Sequence, residues 1–321
     1  MTKPRPCGCK GCRTCLVCET KYGADNLQLR RNLNRENSYV YCAYCNKAWK
    51  GWDMDLYEEH PNHFGEAIDY PGVKIIPEFI TMEEEELLIK NIDEVPWDLS
   101  QSGRRKQNFG PKTNFKKRKI ALGSFEGFPL FSKYLQERFL DIDLLKGYET
   151  IEQCTLEYDP WKGASIDPHI DDCWIWGERI VTVNCLSESV LTMTPYHGDI
   201  KKYNLKYAET YCSVVDPDGH VKCNLNGGEG NVLGECKPDI TNDIVVRIPM
   251  PRRSLLVIYG EPRYHWEHSV LREDIISRRV CIAYREFTPP YLKGGQHENI
   301  GDTVREKSKL FWDHKLSVNP I

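Results

Sequence analysis

From Pro71 onward the hydrophobic and polar positions follow the patterns of a globular domain. Residues 73–79 read as a strand and turn, and Thr81-Met-Glu-Glu84 forms a capping box that opens a helix. That helix is expected to bury Leu87, Leu88 and Ile92, with the acids 83–86 in its first turn, where the helix dipole favours them. A second helix is expected over roughly residues 130–140. Strand-like segments broken by turns follow at 153–158, 179–186, 190–194, 244–248 and 255–259, with another at 278–286. Residues 304–316 read as an amphipathic helix. Many strands without alternating helices predict an antiparallel sandwich or jelly roll, mainly β with flanking helices. The polar span 196–243, with Asn226-Gly-Gly-Glu-Gly-Asn231, reads as a long and partly mobile insertion. The organisation expected is therefore a Cys-rich unit over 1–50, a helical lid extension over 51–145, a catalytic core over 146–290 and a tail over 291–321.

Composition narrows this picture only in part. Hydrophobic residues make up 40% of the 321 positions and the formal charge is −4, so no global basic field points to nucleic acid. The opening Met-Thr-Lys-Pro-Arg-Pro-Cys does not read as a secretory signal, and no apolar run approaches the ~20 residues of a membrane span. A cytoplasmic and nuclear location with reduced thiols follows as the expectation.

Of the 14 cysteines, seven lie within the first 45 residues. Cys15-x2-Cys18 and Cys42-x2-Cys45 have the spacing of two knuckles around a structural Zn(II). The 23 residues between them exceed the usual ~15–20, Cys7, Cys9 and Cys12 are surplus, and His60 and His63 could reach in. The ligand set stays open, and so does a second metal. The stretch 101–120 carries eight basic residues and no acidic one, with Phe109 and Phe115 interleaved. Gly103, Gly110 and Pro111 predict a loop or hairpin there, suited to an anionic partner or merely solvated.

Candidate chemistry centres on Ile166-Asp-Pro-His-Ile-Asp-Asp-Cys-Trp174. In extended backbone His169 and Asp171 share a face. One imidazole, one carboxylate and a second imidazole make the facial triad of non-heme Fe(II) sites. His265 and His268 are the distal candidates. Past them, Arg279 and Arg285 lie six apart on one strand face, where burial requires an anionic partner.

Tyr158 with Gly163 and Ile166, His169-x-Asp171, Arg263-Tyr-His-Trp-x-His268 and Arg279-x5-Arg285 together resemble the AlkB-like Fe(II)- and 2-oxoglutarate-dependent dioxygenases. The N-terminal Cys-Gly-Cys-Lys-Gly and Gln101-Ser-Gly-Arg-Arg-Lys look most like the AlkB homologue four subfamily. The resemblance implies a double-stranded β-helix core and iron held by His169, Asp171 and His268. It implies 2-oxoglutarate on Tyr158, Arg279 and Arg285, with Arg279 as the clamp on the distal carboxylate, and O2 as co-substrate. An asparagine seen in several members two before the tyrosine is here Leu156. The activity implied is oxidative N-demethylation of methyl-lysine in protein (actin) or of N6-methyladenine in DNA, with a role in actomyosin processes and cytokinesis. The family's lid maps to 104–119, making Arg104, Arg105, Lys106 and Phe109 candidate substrate contacts, with Phe109 or Tyr264 stacking on an extruded base. Trp174 and Trp176 read as walls. A zinc-bearing interaction protein on the same fold is the competing expectation.

Overall fold

The computed structural model describes residues 5, 7–10, 13–25, 33–216, 218–222, 233 and 243–313. Two seven-stranded sheets dominate. The first runs in the order Ile166–His169, Trp266–Val270, Ser189–Pro195, Val245–Met250, Ser38–Cys42, Lys47–Lys50, Ala67–Asp69. The second runs Val73–Ile76, Leu255–Ile258, Trp176–Cys185, Arg279–Phe287, Glu152–Tyr158, Arg105–Phe109, Asp98–Leu99. Leu191, Met193, Val246 and Ile248 of the first sheet share one apolar core with Ile75, Ile180, Leu256 and Ile258 of the second, so the sheets pack face to face. The alternate residues Val181, Val183, Val257 and Ile282 meet Leu88, Ile92, Leu135 and Phe139 of two helices on the outer face. Central strands covered on both sides are apolar at successive positions, which is the pattern seen in 179–186.

The helix Met82–Glu94 forms with both halves of its capping box in place. Leu88, Ile89 and Ile92 are buried, but Leu87 is 63% exposed. Its side chain falls on the solvent side, and the polar residue taking an inward place is Glu85. Glu85 is fully buried; it accepts from the Leu186 N–H at 2.7 Å and pairs with Arg252 at 2.5 Å. That acid ties the helix to the second sheet, a role beyond the dipole.

The second helix is Lys133–Phe139, entered through a 3-10 turn at Leu130–Ser132. At the other end the helix is Glu298–Ser308, earlier than expected. Phe311–Trp312 leaves helical geometry because it pairs with Phe128–Pro129. Residues 314–316 lie outside the described residues.

Two site-bearing strands, Ile166–His169 and Trp266–Val270, escape the sequence pattern because Asp167, Pro168, Glu267 and His268 interrupt it. Ser38–Cys42 runs parallel to Val245–Met250 and antiparallel to Lys47–Lys50. The second Cys knuckle is thus a hairpin turn of the main sheet, not part of a detached unit. The basic stretch divides into the strand Arg105–Phe109 and a hairpin, Lys112–Asn114 with Lys119–Ala121. From the insertion, Leu205 and Ala208 pack on Ile170, Cys173 and Tyr264. The glycine-rich part expected to be mobile, 223–232 and 234–242, lies outside the described residues.

Candidate active site

Antiparallel pairing of Ile166–His169 with Trp266–Val270 sets His169 directly opposite His268. The two ring centroids are 4.2 Å apart. Asp171, just past the end of its strand, folds back so that one ligand atom from each of the three residues lies within 4.8 Å of the others. The Nδ1 of His169 is 2.7 Å from the Asp167 carbonyl. A carbonyl only accepts, so Nδ1 carries the proton and Nε2 is left as the ligand. Burial pushes both imidazoles below their ordinary pKa and keeps them neutral.

Burial alone would raise the Asp171 carboxyl, yet the Arg285 guanidinium beside it holds it far below the usual carboxylate range. Arg285 reaches the two Asp171 oxygens at 3.1 Å each and Glu152 at 2.6 Å. Arg263, 2% exposed, donates to the backbone carbonyls of Asp171, Trp176 and Gly177, fixing the turn that carries the carboxylate. Two neutral nitrogens and one anionic oxygen converging from one side, with His169 and Asp171 each oriented by a second residue, suit a divalent transition metal with positions left open.

Arg279 shares the inner face of its strand with Arg285 but has different surroundings. It is 1% exposed, donates Nε to Asn184 at 2.6 Å and lies 4.8 Å over the Tyr158 ring. Its Nη1 is buried with no partner, and among the described residues no carboxylate reaches it. A buried guanidinium with one unused donor calls for an anion. Burial also pushes the Tyr158 phenol up, so it stays a donor toward the same anion. Leu156, where an asparagine was expected by resemblance, packs half-buried at the edge of the core.

The candidate substrate residues separate by strand alternation. Arg104 lies 5.8 Å over the Tyr158 ring, on the inner side. Arg105 pairs opposite Glu157 on the other face and grips it at 2.5 and 2.7 Å. Lys106 is half-buried opposite Leu156. Phe109 packs edge-on against Trp312, 5.7 Å away. Arg105 and Phe109 are therefore committed elsewhere, and the exposed cations of this stretch are on the hairpin: Lys112, Lys116, Lys117, Arg118 and Lys119. Tyr264 is 2% exposed inside the insertion's apolar cluster and cannot stack on a substrate. His265 stands outside the metal-competent group.

A human protein, alpha-ketoglutarate-dependent dioxygenase alkB homolog 4, is 38% identical over 304 residues, 94% of this chain and 92% of its own length. This chain belongs to the AlkB family of 2-oxoglutarate-dependent dioxygenases. Its mouse counterpart is 36% identical over 307 residues, 95% of this chain and 94% of that protein. A Caenorhabditis elegans DNA N6-methyl adenine demethylase is 29% identical over 310 residues, 92% of this chain and 91% of that protein. No family model matches. The AlkB-family enzyme is thus an oxidative demethylase that uses Fe(II), 2-oxoglutarate and O2. The triad and the unpaired Arg279 Nη1 fit that cofactor pair.

The four cysteines expected around one zinc do not meet. Cys15 and Cys18 cluster with Cys7 and Cys9, whereas Cys42 and Cys45 cluster with His60 and His63. The knuckles sit on different elements, one in the N-terminal segment and one on a sheet hairpin. Sequence reasoning also gave no role to Arg263, Asn184 and Glu152. Polar residues at inward positions of apolar strands were the available signal for the last two.

Among the described residues no helix is long and apolar enough to cross a membrane.

Proposed function

We propose that this dioxygenase removes the N6-methyl group of methyladenine in DNA, and that its facing sheets form the double-stranded β-helix of its family. The observation carrying the substrate reading is the basic hairpin. Phe115 at its tip is 50% exposed and meets Trp174 edge-on at 6.4 Å. Arg118 reaches Asn204, which donates to Asp172, the neighbour of the metal-site carboxylate. Four consecutive cations beside an exposed ring at the mouth suit phosphates and an unstacked base. The worm relative's name supports the same substrate. A nuclear and cytoplasmic location, where thiols stay reduced, accords with this reading and with structural Zn(II) in the Cys-rich region.

In this mechanism His169, Asp171 and His268 would hold the iron, and Arg279 with Tyr158 would bind the distal carboxylate of 2-oxoglutarate. With both bound, dioxygen and the iron supply oxidation of the N-methyl carbon, which leaves as formaldehyde. Arg285, itself held in place by Glu152, keeps Asp171 ionised and oriented, and the Asp167 carbonyl holds the proton on His169 Nδ1 throughout. The hairpin and Trp174 shield the mouth from water.

Formaldehyde release from an N6-methyladenine oligonucleotide, with Fe(II), 2-oxoglutarate and ascorbate present, is the test. Turnover is expected, and charge reversal at Lys116, Lys117 and Lys119 should raise the KM for DNA while leaving that for 2-oxoglutarate unchanged. Release only from methyl-lysine in actin would replace DNA by an acidic protein substrate, with the cytokinetic role that accompanies it. Release from neither substrate sinks the reading.

A further inference from the structure

Among the described residues, six cysteines and two histidines outside the iron site form two compact clusters with different donor chemistry. We propose that the chain binds two structural zinc ions, one on Cys7, Cys9, Cys15 and Cys18 and one on Cys42, Cys45, His60 and His63, and that the first clamps the strand carrying His169. This deepens the reading that the Cys-rich region holds zinc; it does not depend on the substrate.

In the first cluster the four sulfurs lie within 4.8 Å of one another, with Cys7 to Cys18 at 3.1 Å and Cys15 to Cys18 at 3.7 Å. Thiolates at ~2.3 Å from a tetrahedral ion stand about 3.8 Å apart, so the spacing fits with small adjustments. Cys9, Cys15 and Cys18 are buried, and none of the four is in a disulfide. The Gly103 backbone N–H donates to Cys9, as metal-bound thiolates require.

In the second cluster Cys42 and Cys45 flank the turn between Ser38–Cys42 and Lys47–Lys50, and His60 and His63 approach from a later turn. Both ring nitrogens of His63 are buried without a hydrogen-bond partner. An imidazole left in that state forfeits the hydrogen bonds it would make in water, whereas one nitrogen on a metal resolves the deficit. The ring stacks on Trp49 at 4.6 Å, and the same indole donates Nε1 to Cys45 at 3.3 Å. His60 stacks on Tyr44 at 5.3 Å. Rings that orient the histidines and a donor on the thiolate are the supports a metal site needs around its ligands.

The two centres differ in what they hold. The second braces the far edge of the first sheet. The first lies against the active site. Gly8 runs so close to Ser100 that a Cβ there would stand 2.5 Å from the Ser100 carbonyl oxygen. Arg13 pairs with Asp167 at 3.3 Å and donates to Gln101. Glu19 grips Arg272 at 2.8 Å through two contacts, and Arg272 donates to the Gly163 carbonyl at 3.1 Å. These contacts bracket residues 163–167, directly ahead of His169, and the turn leading to Arg104. A segment this small cannot hold its shape by apolar burial, so its metal supplies the folding energy.

The test uses the full chain with the triad loaded with Fe(II), measuring bound zinc by mass spectrometry and the thiolate charge-transfer band after replacing zinc by Co(II). Two zinc ions per chain are expected, with a band of six thiolates. Cys42→Ser with Cys45→Ser should leave one zinc and four thiolates, and Cys15→Ser with Cys18→Ser should remove the other zinc. Only the Cys15/Cys18 variant should also weaken Fe(II) binding, by about tenfold. A wild-type chain with fewer than two zinc ions overturns the assignment without reference to any variant. Equal Fe(II) affinity in the Cys15/Cys18 variant overturns the clamp. Two zinc ions in a protein that demethylates neither DNA nor actin would leave this inference standing and remove only the substrate reading.

Discussion

Arg279 and Arg285 share a strand face, yet their neighbours give them different work. Arg285 is saturated by Asp171 and Glu152, so it positions the Asp171 carboxylate and has no free donor for a cofactor. Arg279 keeps an unpaired buried nitrogen. Arg279→Lys should raise the KM for 2-oxoglutarate at least tenfold, since a charge-assisted bond is worth ~1.5–3 kcal/mol and an ammonium cannot form the fork. Arg285→Gln should instead lower Fe(II) affinity about 10–100-fold, with the 2-oxoglutarate KM little changed at saturating iron. Titrations of each ligand in both variants check the division; equal effects would contradict it. Glu178 offers a pH test. Burial pushes its carboxyl from 4.5 up to about 7, against donors from Ser213 and Val214. Between those values the folded chain holds a proton that the unfolded chain has shed, so stability falls as pH rises through the window. Urea midpoints measured from about pH 5 to 8 should drop for the wild type, and the slope should flatten in Glu178→Gln.

At the scale of elements, the helix Met82–Glu94 shows how much a periodic pattern reveals. Its start was legible down to the hydrogen bonds, because the capping box is a local device. Its buried face was not, since Leu87 and Leu88 are adjacent and only the packed sheet selects between them. Leu88→Ala should cost about 2–5 kcal/mol in urea unfolding, and Leu87→Ala less than about 0.5. The reverse ranking would mean that the helix sits rotated. Ile166–His169 and Trp266–Val270 show the complementary limit. Both carry polar residues for chemistry, so local propensity is weak, and pairing with a neighbour makes them strands.

For the whole molecule, the N-terminal region is continuous with the catalytic sheet. Ser38–Cys42, Lys47–Lys50 and Ala67–Asp69 complete the first sheet beyond Val245–Met250. A chain beginning at residue 71 would expose that strand's edge and the apolar face beneath Tyr39 and Tyr41, and it should aggregate. A chain beginning at residue 33 keeps every strand of both sheets and should remain folded. Gel filtration and near-UV circular dichroism of the two forms distinguish them; a well-folded monomer from residue 71 would contradict this architecture.

Residue identities alone pointed to the triad, the arginine strand and the family, because such donors at such spacings have few other uses. They also pointed to clustered thiols and a mainly β fold. Which cysteines cluster together, which face of a strand Arg105 occupies and which arginine keeps an unpaired nitrogen were decided only by the tertiary structure. Those outcomes depend on register between strands up to about two hundred residues apart, and a one-residue slip reverses every face. Local sequence carries the chemistry of each side chain, and long-range pairing determines what it meets.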